Sequence, residues 1–330
     1  MLNYLSSRST ASRTPLRIVA ACIAAALLLP TASFAQTYPD KPIRIIVGPG
    51  PDALARIVGE RLTESWGQSV VVDQRPAAGG IVAGDAVAKA APDGYTLLLS
   101  TGSFTINSVL QAKAPYDFQR DLTPVSLMAT LAFVLVVNPA VPANSFKELV
   151  AMARAQPGKL NYASAGNGTP PHLAGEMLKQ MAKIDMQHVP YKSAAAGITD
   201  VAGGQVQMMF VPAPTALPLI KGGRVRPLAV SSPQRYAGLP DVPTVSEEGL
   251  PDFSIVGWNG LHAPAKTPPA IIEKLSREVM SIMRQRGALE RAMAAGLEPV
   301  GSTQEEFIAF QRRDIARATA VIKAANIQPD

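Results

Sequence analysis

Apolar residues fall into two rounds of one pattern. Ile43 to Val47 is a short unbroken apolar run, the mark of a parallel strand buried on both faces. Gly48-Pro49-Gly50-Pro51 follows, then Asp52 at a helix N-cap, then Leu54, Ile57, Val58 and Leu62 at helical spacing. A second strand is expected over 70–72, a loop over 75–80, a helix over 81–91 and a turn at Pro92-Asp93-Gly94. A third strand over 95–100 is closed by Thr101-Gly102-Ser103. This βαβαβ order predicts a parallel sheet with helices on both faces.

The second round starts at Ser145, which fits a capping box with Glu148, and its helix stops at Pro157-Gly158. A strand over 160–164 leads into the loop Ala165-Gly166-Asn167-Gly168. Thr169 is a cap, and Pro170 takes the first helical position, where its missing N–H costs nothing. Leu173, Met177, Leu178 and Met181 form the buried stripe of that helix. Further strands are expected over 186–191, 207–211 and 226–230, with short helices over 194–202 and 214–221. Two long helices, 268–285 and 303–325, close the chain. Segments 135–138 and 255–258 are the candidates for crossings between two halves.

The chain has 330 residues, enough for about two domains of ordinary size. Its first 35 residues read as an export signal. Arg8, Arg13 and Arg17 precede the apolar run 18–29, Pro30 ends it, and Ser33-Phe34-Ala35 supplies a small-residue cleavage site after Ala35. The run is too short for a membrane-spanning helix, which needs about 20 residues. A lipid-attachment reading of Cys22 fails because the apolar run continues past it. Removal of the signal takes three arginines and the only cysteine, and leaves 28 basic against 25 acidic residues, a net +3. The mature chain therefore has no thiol chemistry and no zinc–thiolate site. Its scattered Lys and Arg form no stripe for nucleic acid, and no second long apolar run suggests a span. An exported, periplasmic, monomeric protein is expected.

The loops carry the chemistry. In an open parallel sheet, ligands bind beyond the carboxyl ends of the strands. Three such ends, at 48–51, 101–105 and 165–169, are small, polar and glycine-containing, and each leads into a helix start. Free N–H groups and the positive dipole end there form an anion site without arginine. Two such loops facing each other suit a small carboxylate. Competing patterns are thin. His172 and Glu176 are four apart on a helix, but only His188 and His262 remain to complete a metal site. Tyr162-Ala163-Ser164-Ala165-Gly166 lacks the first glycine of a nucleophile elbow. No Walker loop and no dinucleotide fingerprint is complete.

The chain resembles the tripartite tricarboxylate transporter receptors, the Bug-type periplasmic solute-binding proteins. The likeness is carried by Tyr38-Pro39-Asp40-Lys41-Pro42-Ile43-Arg44, Ala91-Pro92-Asp93-Gly94-Tyr95-Thr96-Leu97, Asn161-Tyr162-Ala163-Ser164-Ala165-Gly166-Asn167-Gly168, His188-Val189-Pro190-Tyr191-Lys192 and Leu239-Pro240-Asp241-Val242-Pro243-Thr244. It implies an α/β, two-lobed periplasmic binding protein of type 2-like form. Each lobe would be a mainly parallel sheet flanked by helices, with two crossing strands as hinge. Residues 36–135 with 258–330 would form one lobe and 136–257 the other. It implies a carboxylate held mostly by backbone N–H groups, no cofactor, no catalysis, and delivery to membrane transporter subunits. The ligand-binding residues carried over are Pro49, Gly50, Thr101, Gly102, Ser103 and Asn107 from the first lobe, and Ala165, Gly166, Asn167, Thr169, Tyr191 and Lys192 from the second. Two departures stand out. The first loop is several residues shorter than the family's usual one, and Val211-Pro212 stands where many members carry Asp-Asn. Without that acid the expected ligand has no positive charge. A ligand-sensing partner of a membrane sensor and an exported α/β hydrolase are the alternatives.

Overall fold

The computed structural model describes residues 38–48, 52–75, 80–111 and 114–328. The segment expected to be an export signal, 1–35, and the two first-loop ligand candidates, Pro49 and Gly50, lie outside the described residues.

Strand β1 (Ile43–Val47) buries every side chain but Arg44. It pairs in parallel with β2 (Val70–Gln74) on one side and β3 (Thr96–Thr101) on the other. Helices α1 (Ala53–Trp66), α2 (Ile81–Ala88) and α3 (Gly102–Leu110) follow the three strands in turn. The start of α1 differs from expectation in detail. Asp52 occupies the N-cap, but its carboxylate makes no capping bond and takes the Arg56 guanidinium at 2.8 Å instead. Two residues of the third expected turn are already helical, because α3 begins at Gly102 directly after β3.

The second round repeats the arrangement. Helix α4 (Phe146–Ala155) opens with the expected cap, the Glu148 N–H donating to Ser145 Oγ at 3.2 Å. The Glu148 carboxylate accepts from the Asn144 N–H, one residue earlier than a reciprocal box requires. β5 (Asn161–Ser164) pairs in parallel with β6 (Gln187–Pro190) and β7 (Met208–Pro212). Helices α5 (Pro170–Ala182), α6 (Ala194–Ala202) and α7 (Ala213–Lys221) connect and follow them.

Two antiparallel strands join the parallel triplets. β9 (Val256–Pro264) lies beside β3, with Asn259 opposite Thr101. β4 (Leu122–Val137) pairs with β9 from Leu122 to Ala132, then changes partners at Phe133 to β7 and to β8 (Arg226–Val230). The path is β2-β1-β3-β9-β4-β7-β5-β6. β4 is the largest element that the hydrophobic pattern did not reveal. It has 16 residues, is buried along nearly its whole length, shows no alternation, and contains Pro124. That proline is tolerated because the register with β9 slips between Pro124 and Ser126. The partner change comes earlier along the chain than the 135–138 crossing expected from sequence.

The C-terminus also departs from the two expected helices. Between α8 (Pro269–Ile282) and α10 (Gln304–Ala324) the chain forms α9 (Arg286–Ala294) and the two-residue strand β10 (Glu298–Pro299), which pairs with β4. The turn between them holds Gly296 at φ 73°, where a methyl group would lie 2.1 Å from Pro214 Cγ, so only glycine fits. Helix α10 has a complete capping box at Thr303 and Glu306. It serves both halves. Phe307 joins the core with Trp258, Phe104 and Leu98, while Ala318, Val321 and Ile322 join the one containing Phe146 and Leu178.

Candidate functional site

The carboxyl ends of both parallel triplets open onto one cavity of about 240 Å³. From the first triplet come Thr101, Gly102 and Ser103, at the β3–α3 junction, with Ala53 and Leu54 from the start of α1. From the second come Ala165, Thr169, Pro170 and Pro171, at the β5–α5 junction, with Ala194 and Pro212. The crossing strands form the floor through Leu131, Phe133, Gly257, Trp258 and Asn259, and the α9–β10 turn adds Ala295 and Leu297.

The two helix starts meet at Gly102. A methyl group there would sit 3.3 Å from Trp258 Nε1 and 3.4 Å from Pro170 Cγ, so a side chain would crowd both. Thr101 is the extended N-cap of α3 and its side chain makes no capping bond, which leaves the first N–H groups of that helix without a side-chain acceptor. Thr169 is the corresponding cap of α5. Its hydroxyl donates to the Gly166 carbonyl at 2.7 Å rather than capping the helix. The first two residues of α5 are Pro170 and Pro171, which have no N–H to offer. Trp258 donates its indole N–H to Asp314 Oδ2 at 2.9 Å. Burial raises the Asp314 carboxyl above its ordinary range, opposed by the Trp258 hydrogen bond and by Arg317.

Of the twelve ligand candidates expected from sequence, the cavity wall contains Thr101, Gly102, Ser103, Ala165 and Thr169. Asn107 is not on that wall; its amide oxygen lies near Gly168. Gly166, at φ 118°, turns that loop against the Tyr191 carbonyl. Asn167 faces a separate pocket with His172 and His188. The Tyr191 hydroxyl donates to Asp200 Oδ2 at 2.7 Å, and burial followed by that bond pushes its pKa up to about 12. Lys192 is exposed. The residues that sequence reasoning missed are mostly apolar: Leu131, Phe133, Pro171, Ala194, Ala295 and Leu297. None belongs to a motif. Leu131 and Phe133 reach the cavity on β4, and Ala295 and Leu297 at the α9–β10 turn, both unanticipated, whereas Pro171 and Ala194 stand at the starts of expected helices.

The histidines have structural surroundings. His172 and His188 stack with ring centres 3.9 Å apart. Ser164 Oγ lies 2.7 Å from His188 Nε2 and accepts the Gly166 N–H at 3.1 Å, while His172 Nδ1 accepts the Gly168 N–H at 3.3 Å. Burial, with His172 and Lys179 nearby, lowers the His188 pKa to about 3, too low for a general base near neutrality. Ser164 is fully buried. The pair therefore pins the 165–168 loop and is unsuited to nucleophilic catalysis. Glu176 takes the Tyr162 hydroxyl at 2.7 Å and the Lys179 ammonium at 2.9 Å. No group of three or more metal-ligating side chains occurs among the described residues. No helix among them is long and apolar enough to cross a membrane.

Comparison with known proteins agrees with this architecture. Residues 54–327 match the family described as "Tripartite tricarboxylate transporter family receptor". The chain is 35% identical over 295 residues to the protein BugT of Bordetella pertussis, covering 88% of this chain and 90% of that one. It is 38% identical over 275 residues, 82% of each chain, to an uncharacterised-family protein encoded between tcbD and tcbE in Pseudomonas sp. strain P51. Among solved structures, an R. palustris protein with adipate superposes with TM-score 0.79 at 32% identity, over 89% of this chain and all of that one. MatC of Rhodopseudomonas palustris, with bound malate, superposes with TM-score 0.74 at 27% identity, over 86% of this chain and all of that one. The family is one of solute-binding receptors rather than enzymes, and these solved structures share the α/β fold of this chain. The chain belongs to the tripartite tricarboxylate transporter receptor family, the periplasmic solute-binding proteins of Bug type.

Proposed function

We propose that this protein captures a small carboxylate without a positive charge in the cavity between its lobes and delivers it to the membrane subunits of a tripartite tricarboxylate-type transporter. The observation that carries the reading is the single cavity shared by the β3–α3 and β5–α5 junctions, with Thr101, Gly102 and Ser103 on one side and Ala165 and Thr169 on the other. Those residues are the contacts in this reading, with Pro49 and Gly50 from the first loop. Residues 36–135 with 258–330 form one lobe and 136–257 the other. Asn107, Gly166 and Asn167 shape the second loop around the ligand, and Tyr191 and Lys192 flank it.

Family membership supports the receptor role, and the adipate and malate in two solved relatives support a carboxylate. Pro212 in the wall supports a ligand without an amine, since no carboxylate side chain lines the cavity among the described residues. Binding favours the closed arrangement because the ligand touches both lobes, and closure removes water from the hydrogen bonds to the anion. The 35-residue leader directs export to the periplasm, where the mature protein acts as a monomer. A thermal-shift screen against carboxylates, with native mass spectrometry of the protein as isolated, tests the ligand class. Stabilisation by carboxylates supports it, and stabilisation by amines or sugars alone overturns it. Capture of the transporter's membrane subunits by the ligand-loaded protein tests delivery, and capture of a sensor kinase in their place refutes it.

A further inference from the structure

We infer that the cavity selects a monocarboxylate with an apolar body over the dicarboxylates held by solved relatives. This rests on the carboxylate reading above and sharpens it.

The argument starts from what each wall can donate. The side-chain donors on the wall are Thr101, Ser103, Thr169, Trp258 and Asn259. Two are committed elsewhere: the Thr169 hydroxyl to the Gly166 carbonyl, and the Trp258 N–H to Asp314. The other three sit together. Thr101 and Asn259 are directly opposite each other across the β3–β9 ladder, and Ser103 is two residues along the chain from Thr101. No hydrogen bond engages the side chain of Thr101 or Ser103 among the described residues. The available side-chain donors thus gather at one end of the cavity, beside the uncapped start of α3.

The rest of the wall is Leu131, Phe133, Pro170, Pro171, Pro212 and Leu297. No Lys, Arg or His lines the cavity among the described residues. At α5, where a second helix start faces the first, proline has removed the first two N–H groups. One carboxylate is therefore accommodated at the Thr101–Ser103 end. A second carboxylate on the same ligand would lie against aliphatic and pyrrolidine surface, where an unpaired buried charge is strongly disfavoured. An alkyl or aryl body there gains from leaving water.

Hexanoate and adipate test this directly, because they share a six-carbon chain and differ by one carboxylate. Calorimetric titration of the purified mature protein is expected to show hexanoate or benzoate binding at least about tenfold more tightly than adipate. Adipate binding as tightly as hexanoate, or more tightly, overturns the inference while leaving the carboxylate reading intact. Failure of all three acids, with stabilisation by an amine or sugar, overturns both. A second variant guards the outcome against folding artefacts. Leu297→Lys places an ammonium on the apolar rim at a partly exposed position, and is expected to shift the adipate-to-hexanoate affinity ratio toward adipate by about tenfold. An unchanged ratio in a folded variant that still binds hexanoate also refutes the inference.

Discussion

Helices α3 and α5 begin alike. Each follows a central or inner strand of a parallel triplet, each has an extended threonine as N-cap, and each points its start at the same cavity. Yet α3 opens Gly102-Ser103 and keeps its N–H groups, whereas α5 opens Pro170-Pro171 and loses them. Equivalent topology has produced one helix start that keeps its N–H groups and one that has lost two of them. The lesson is that position in an α/β sheet says where a ligand goes, and the first two residues of the helix say which part of it arrives there.

The comparison can be broken most severely at Gly102. Gly102→Leu would push into Trp258 and Pro170, where even a methyl group is crowded. Carboxylate affinity is expected to fall by about a hundredfold or more, near 2.7 kcal/mol, with the far-ultraviolet circular dichroism preserved. Next comes Thr101→Ala, which removes one hydroxyl donor from the polar end. The expected loss is about 1.5–3 kcal/mol of binding, as for a hydrogen bond to a charged acceptor, and calorimetry showing unchanged affinity would take Thr101 out of the contact set. Thr169→Ala should differ sharply from it. That hydroxyl is already held by the Gly166 carbonyl, so affinity should move by less than about 0.5 kcal/mol. A Pro170→Ala, Pro171→Ala double variant restores both N–H groups of α5, and is expected to improve adipate binding relative to hexanoate in the same titration.

Acid acts on two strands of the sheet alike. His188 on β6 and His262 on β9 each have their pKa lowered to about 3, chiefly by burial. The unfolded chain takes up a proton near the ordinary imidazole value of about 6.5 while the folded form refuses it. Stability is therefore complete above about pH 6.5 and declines as the pH falls toward 3, by about 1.4 kcal/mol per pH unit for each histidine. Urea unfolding at about pH 7 and about pH 5 checks this. His262→Gln should lessen the slope, whatever it does to stability at neutral pH.

Much of the frame was legible because it obeys local rules. β1, β8 and α6 occupy the residues that periodicity assigned. The motifs that carry the family likeness are legible for a different reason, since many hold the scaffold rather than the ligand. Asp40 takes the Tyr95 hydroxyl at 2.6 Å, and Lys41 reaches Asp93 at 3.0 Å across 52 residues of sequence. Asn107, one turn into α3, has its amide oxygen near Gly168 of the 165–168 loop. The illegible part is long-range. β4 has no alternation because both its faces are covered, and Leu131 and Phe133 join the cavity solely through its partner change. Leu297 arrives through a two-residue strand that no window average would detect.

Helix α10 couples two cores. It packs Phe307 into one and Val321 with Ile322 into the other. Sharing one helix in this way makes the two cores answer to each other, so damage at either end of it is felt by both.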